Sequence, residues 1–331
     1  MSKIIDAPHS KTRYADIRRD KIFQLVFAAK ENQGLLIKLM NYLLPSMHIT
    51  KITLLNKDKH GHSVDDRHCV FDVFCLTENE EHVLIEMQYN VQDDFQDRTL
   101  YYSTYPIREQ IVARLREAKR EQKKKNLKYP PRIKYCLDAV HVVGIVNYSI
   151  PHKEGVKLEE GLVCRYWIME SSKGERMTDA LEFVFLELDR MNYGADHPEK
   201  CKGMLEKLAF SLKYINELKE QPAELRGDFF DDLFQAAEMA NWSAKRVAKY
   251  DEAMMTEIDM GNYVANEIEK GIEKGLKEAR EKVRGEVREE VKEEVREERS
   301  IEIAKALLSK DIAPELVSAS TGISIEVLKS L

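Results

Sequence analysis

With 331 residues, 43% of them hydrophobic and 33% charged, the chain is long enough for one catalytic-sized domain plus appendages. Five cysteines at irregular spacing, with no C-x-x-C pair, exclude a zinc ribbon or a disulfide framework and read as core residues in a reducing compartment. No apolar run reaches the ~20 residues of a membrane span, and the N-terminus carries no apolar stretch of signal-peptide length, so an unexported, cytoplasmic protein with no membrane partner is expected.

Within residues 20–44, Ile22, Phe23, Val26 and Phe27, then Leu35, Leu36, Leu39, Met40 and Leu43, recur at helical spacing. This predicts one amphipathic helix or a broken pair ending before Pro45. Strand-like runs follow at 49–55, 69–76 and 83–89, and helical text begins at Phe95. Further strand candidates stand at 139–148, 162–169 and 181–188, with helices from Pro198 to about Met255. Helix, three strands, helix, strand is the order of an α/β domain whose hairpin strands are antiparallel. Residues 1–255 therefore read as one domain with a helical extension.

The net charge of −6 is unevenly spread. Between Val112 and Lys134 ten basic residues, Lys123, Lys124 and Lys125 among them, face only Glu117 and Glu121, an excess of eight positive charges. Such a block neutralises several backbone phosphates at once. A solvated helix end and loop explains it equally well, so composition leaves both readings open.

Residues 256–300 read as a charged helical linker, with ten basic and twelve acidic residues over 267–299. Valines recur there every four residues at Val283, Val287, Val291 and Val295, which overshoots the helical period of 3.6 and turns the stripe by about 40° per repeat. That excludes a heptad seam and favours a solvent-exposed spacer supported by i,i+3 and i,i+4 charge pairs. Weak self-association through Ile268, Ile272 and Leu276, with Gly271 and Gly275 allowing close approach, is the alternative. Residues 301–331 resemble a miniature helix-turn-helix. Ile303, Ala304, Leu307 and Leu308 make one helix, Pro314 opens a second through Leu316 and Val317, Gly322 turns the chain, and Ser324 caps a third through Leu328. Three lysines against four acids make it a docking or oligomerisation cap rather than a DNA reader.

The chemistry concentrates in residues 69–89. Strand alternation predicts Phe71, Val73 and Cys75 on one face with Val70 and Asp72 on the other, and Ile85 and Met87 opposite to Glu86 and Gln88. Thr77 to Glu81 forms a turn centred on Asn79, and pairing symmetric about Asn79 sets Asp72 directly across from Glu86. Opposed residues have Cβ atoms ~4.5–5.5 Å apart, where like charges destabilise the sheet. A divalent cation compensates: magnesium binds through one or two carboxylates, keeps several waters and leaves room for a phosphate oxygen. Two acids on a solvated sheet face satisfy the same alternation, and spacing alone does not choose between the two.

Asp72, a turn, then Ile85-Glu86-Met87-Gln88 is similar to the D...(D/E)xK signature of the PD-(D/E)XK nuclease superfamily, with Gln in the lysine position. More closely, the chain resembles the recombination-promoting nuclease (Rpn)/transposase family. It shares the opening Asp20-Lys-Ile-Phe23, the IEMQ strand, the helix starting Phe95-Gln-Asp-Arg98 with Tyr101, Tyr102 and Gln110, the FVFLEL strand around Glu187, a charged tail rich in G-x-x-x-G, and the TGIS turn at Thr321–Ser324. The resemblance runs nearly end to end. It implies a restriction-endonuclease-like core, a mixed central sheet flanked by helices, followed by a helical region, a long charged helix and a small C-terminal helical unit. It also implies magnesium-dependent cleavage of double-stranded DNA, with manganese as another usable ion, in recombination, transposition or genome conflict.

Carried over by residue, Asp72 and Glu86 match the metal-binding acids, and the Met87 carbonyl would be a further ligand. Gln88 stands in the lysine slot, where it can orient water but supplies no charge. Asp20 matches the extra acid that the superfamily brings from its first helix, and a helix N-terminal carboxylate favoured by the dipole fits equally. Arg98 and Gln110 follow the active strand and are candidates for phosphate contact, with Lys123, Lys124 and Lys125; an ordinary ion pair also suits Arg98. His68 would share the Asp72 face. Gln24 and Arg67 stand where the family often has Lys. Two function classes follow: an active endonuclease, dimeric through the core or the C-terminal helices if both strands are cut, or a catalytically inactive nuclease-derived DNA-binding or interaction protein.

Overall fold

The computed structural model describes residues 12–55, 58–59, 69–150 and 161–331, with the backbone alone for 58–59 and 69–70. By contacts the chain divides into two compact units, Met1–Met255 and Thr256–Leu331. The first unit opens with a broken helix pair, α1 (Asp20–Phe27) and α2 (Gln33–Leu43). Eight residues are too few for a helix to persist by itself in water, where about 12–15 are needed. Ile22, Phe23, Val26 and Phe27 hold α1 in place by full burial, each such side chain stabilising by about 1.5–3 kcal/mol.

β1 (Ile52–Leu54), the short ribbon β2 (Asp58–Lys59) and β3 (Cys69–Val70), β4 (Val73–Thr77) and β5 (His82–Gln88) follow. Then come α3 (Phe95–Lys125), β6 (Val140–Val146), β7 (Val163–Trp167) and β8 (Leu181–Glu187), and finally α4 (Met204–Tyr214), α5 (Asp228–Ala237) and the start of α6 (Ala244–Leu308). Six strands form one mixed sheet in the order β1-β4-β5-β6-β8-β7. The β4–β5 hairpin is antiparallel, β5, β6 and β8 are parallel, and β7 returns antiparallel at the edge. This is the helix-flanked mixed sheet of a restriction-endonuclease-like fold. α1, α2, α4 and α5 cover one face through the main core, which takes Val73, Cys75, Val83, Ile85 and Met87 from the hairpin. α3 covers the other, over Phe74, Leu84, Val140 and Val142.

Phe71 departs from the expected alternation. It packs with Phe74, Leu84 and Tyr102 on the α3 side, not with Val73 and Cys75. The run 69–76 is not one strand: it bends at Phe71–Asp72 between β3 and β4, and an irregular step there removes the strict period of two. The cysteines also differ from expectation, since Cys75 and Cys201 are buried but Cys136 is exposed, in the extended segment before β6. The Cys69 side chain, Arg67 and His68 lie outside the described residues.

The second unit contains the rest of α6, then α7 (Pro314–Thr321) and α8 (Ile325–Leu328). Residues 259–299 are exposed throughout, including the valine stripe. Ala304, Val317 and Leu328 close a small core with Leu307, Leu308, Ile312 and Ile323. Gly322 ends α7 in the left-handed region at φ 77°, a conformation that glycine adopts without a Cβ clash. Ile303 and Leu316 are exposed on the outer sides of their helices, and Ser324 sits at the N-cap of α8 without a side-chain cap bond. Among the described residues no helix is long and apolar enough to cross a membrane.

Candidate active site

The hairpin register is the symmetric one. Val73 pairs with Ile85 and Cys75 with Val83, so continuing it by one residue sets Asp72 opposite Glu86. β4 begins only at Val73, and the Asp72 carboxylate occupies the place of the missing ladder partner: its Oδ2 accepts the Met87 N–H at 2.7 Å. Its Oδ1 accepts the Gln24 amide from α1 at 2.8 Å. Because the N–H and C=O of one strand residue point to the same side, the Met87 carbonyl also faces the β4 edge. The Gln88 carbonyl turns the other way and accepts the Asn147 N–H.

Glu86 stands beside Gly144 of β6 on the α3 side of the sheet. A Cβ on Gly144 would come within 2.7 Å of the Phe95 ring and 2.8 Å of Phe185, so only glycine lets the first turn of α3 settle here. One turn on from Phe95, Arg98 reaches over the sheet end, its Nη2 donating to Gln88 Oε1 at 2.7 Å and lying 4.0 Å from Glu86 Oε2. Gln88 Nε2 donates to the Asn90 carbonyl at 3.2 Å. Glu86 is only 5% exposed, and its Oε1 is buried without a hydrogen-bond partner. Burial holds its carboxyl well above the usual carboxylate range, with the Asp72 charge adding to the shift, Arg98 opposing it and Asp20 adding a smaller push.

Asp20 is the exposed first residue of α1, its Oδ1 accepting the Lys21 N–H. Arg19 stacks on Tyr89 with its guanidinium 3.6 Å from the ring centroid, which ties the start of α1 to the end of β5. A cleft of about 760 Å³ runs from Asp72 along Gln24 and Lys21 of α1 to the first turns of α6.

Four of the other candidates lie elsewhere. Gln110 is buried, and its amide donates to the Asp138 carbonyl at 3.0 Å and accepts the Asp138 N–H at 2.7 Å. That bonding ties down the segment leading into β6 and uses both the donor and the acceptor of the side chain within the fold. Lys123, Lys124 and Lys125 form the last turn of α3, where cations favour the negative end of the helix dipole. At ~1.5 Å per residue they lie about 40 Å along the helix from Arg98. Gln24 and Gly144 are the residues that sequence reading passed over. Gln24 registered only as a departure from the family pattern, and nothing local marks Gly144, whose role comes from a ring belonging to another element.

Asp72, Glu86 and the Met87 carbonyl make an all-oxygen donor set with one unpartnered buried oxygen, which suits a hard divalent cation completed by water. Among the described residues no group of three or more His, Cys, Asp or Glu side chains could hold a metal ion, so Asp20 does not complete a third-carboxylate cage. No curated protein and no solved structure matches the chain. The description PD-(D/E)XK nuclease family transposase matches residues 17–267, which includes the whole β-sheet and every residue of this site. With an acidic hairpin at the end of a mixed, helix-flanked sheet and a family match over most of its length, the chain belongs to the PD-(D/E)XK nuclease family transposases.

Proposed function

We propose that this protein is a divalent-metal-dependent endonuclease that hydrolyses phosphodiester bonds of double-stranded DNA in recombination, transposition or genome conflict. Asp72, Glu86 and Gln88 are its catalytic residues. The observation that carries this reading is Glu86, an acid buried opposite a second acid with one oxygen left unpartnered. Such an arrangement is unfavourable until a cation is present. Asp72, Glu86 and the Met87 carbonyl would hold Mg2+ or Mn2+, with Asp20 near enough to add negative potential. Bound there, the ion would supply positive charge against the phosphate and make water a stronger nucleophile.

The protein groups keep the geometry. Gln24 and the Met87 N–H hold the two Asp72 oxygens in place. Gln88 orients water but brings no charge, and Arg98, bonded to it, supplies a fixed positive charge beside the position where other members carry lysine. Cutting both strands requires two such sites, hence a dimer through the core or the C-terminal helices. The free cysteines among the described residues accord with a cytoplasmic, reducing setting.

Nicking of supercoiled plasmid with magnesium, wild type against Asp72→Asn, tests the reading. Asp72→Asn keeps the shape, removes one charge and leaves one acceptor oxygen for the Met87 N–H, so the protein without metal still folds, while nicking and the magnesium-induced rise in melting temperature both disappear. Nicking by Asp72→Asn at the wild-type rate would refute the assignment.

A further inference from the structure

The cleft that ends at Asp72 is lined by four cations, Lys21 from α1 and Lys245, Arg246 and Lys249 from the first turns of α6. Arg246 is structural. Its Nη2 donates to the Leu25 carbonyl at 2.6 Å, its guanidinium lies 4.4 Å from the Trp242 ring centroid, and Glu31 stands 3.7 Å away. Lys21, Lys245 and Lys249 are exposed, and no described residue forms an ion pair with them. Glu252 is the remaining acid on the cleft wall besides Glu31 and Asp72.

Lys245 and Lys249 stand four residues apart, so their ammonium groups share one helix face, an arrangement that disfavours the helix unless an anion lies between them. Ser243 also lines the cleft, so the N-terminus of α6 opens on it, and the helix dipole there favours negative charge. Three unpaired cations and a helix N-terminus at the approach to an acidic site match a chain of phosphates whose reacting member lies at the acids. A small acidic metabolite would need only one of them.

Resting on the nuclease reading, we infer that this cleft holds the DNA sugar-phosphate backbone next to the scissile phosphate, with Lys21, Lys245 and Lys249 as its phosphate contacts. The duplex is then gripped from the α1 and α6 side of the sheet, close to the acids, and not primarily by the distant lysines that end α3.

Fluorescence anisotropy of a short labelled DNA duplex, in calcium so that binding is read apart from cleavage, tests this on the full chain. For Lys21→Ala/Lys245→Ala/Lys249→Ala the slope of log affinity against log salt should fall by about 0.9 for each lost contact, with weaker binding at every salt concentration. Affinity and slope equal to wild type in the folded triple variant overturn the inference. If the triple variant does not fold, Lys249→Glu alone replaces it, and unchanged binding by that variant overturns the inference equally. The two readings fail differently: a wild type that neither binds nor nicks DNA removes the nuclease reading, whereas a wild type that nicks, with an unaltered slope in the triple variant, removes only the cleft assignment.

Discussion

Glu86 and Glu187 lie on the same face of the sheet at the same end of its parallel strands: Glu86 pairs with Gly144, and two residues further along β6, Val146 pairs with Glu187. Both are buried, at 5% and 0% exposure. Glu187 is fully engaged. Arg190 lies 2.9 Å from Oε1, the Ile150 N–H donates to Oε2 at 2.9 Å, and the Cys164 thiol donates to Oε1 at 3.4 Å. Glu86 has Arg98 at 4.0 Å, a second acid opposite and an orphaned oxygen. Burial alone therefore does not distinguish a structural acid from a reactive one. The difference is whether the fold itself completes the carboxylate's partners or leaves that to a ligand.

The largest expected effect is on Glu86. Replacing it with Gln should lower plasmid nicking on the order of 10²–10³-fold, as for loss of a principal electrostatic group. Its folded pKa is raised, so without metal its contribution to stability is fully present below the unfolded Glu value and is lost as pH rises through the folded pKa. Glu86→Gln should flatten that decline in melting temperature with pH, and a wild-type profile already flat through the neutral range would break the contrast. Glu187→Gln should act in the opposite sense, lowering stability by about 1.5–3 kcal/mol in chemical denaturation because the charge-assisted bond to Arg190 is lost. Equal stability of Glu187→Gln and wild type would show that its partners do not set it apart.

Smaller effects sharpen the comparison. Gln88→Ala should slow nicking on the order of tenfold, as for outer partners of a metal site, while keeping the magnesium-induced melting shift. Loss of that shift would make Gln88 part of the metal's own shell. Replacing Lys123, Lys124 and Lys125 with Ala should lower the salt slope by about 0.9 per lost contact only on a duplex long enough to reach about 40 Å from Arg98. A shorter duplex should bind the variant and wild type alike. An unchanged slope on the long duplex would leave these lysines as solvated charges at the end of a helix.

Much of the architecture was legible in the chain. Two-residue alternation and a turn centred on Asn79 predict the register that sets Asp72 opposite Glu86, because these are local constraints with few solutions. Helical spacing likewise predicts α1 and α2, and the four-residue valine repeat predicts an exposed helix. Local reasoning failed at particular residues. Phe71 left its expected face because the chain bends before β4, Gln110 turned inward to bond Asp138, and Cys136 lies on the surface.

The sequence by itself determined the family, the order of helices and strands, and the pairing that opposes two acids, since motif, period and turn length are written along the chain. Only the tertiary structure decided the state of those acids. It took Gln24 from α1 to hold Asp72, and Gly144 from β6 to admit Phe95 and with it Arg98. It also took burial between sheet and helix to leave Glu86 without a partner on one oxygen. The physical reason is that solvation and charge depend on what lies within a few ångströms in space, and in this site those neighbours come from distant parts of the chain, 48 positions between Gln24 and Asp72 and 58 between Glu86 and its paired Gly144.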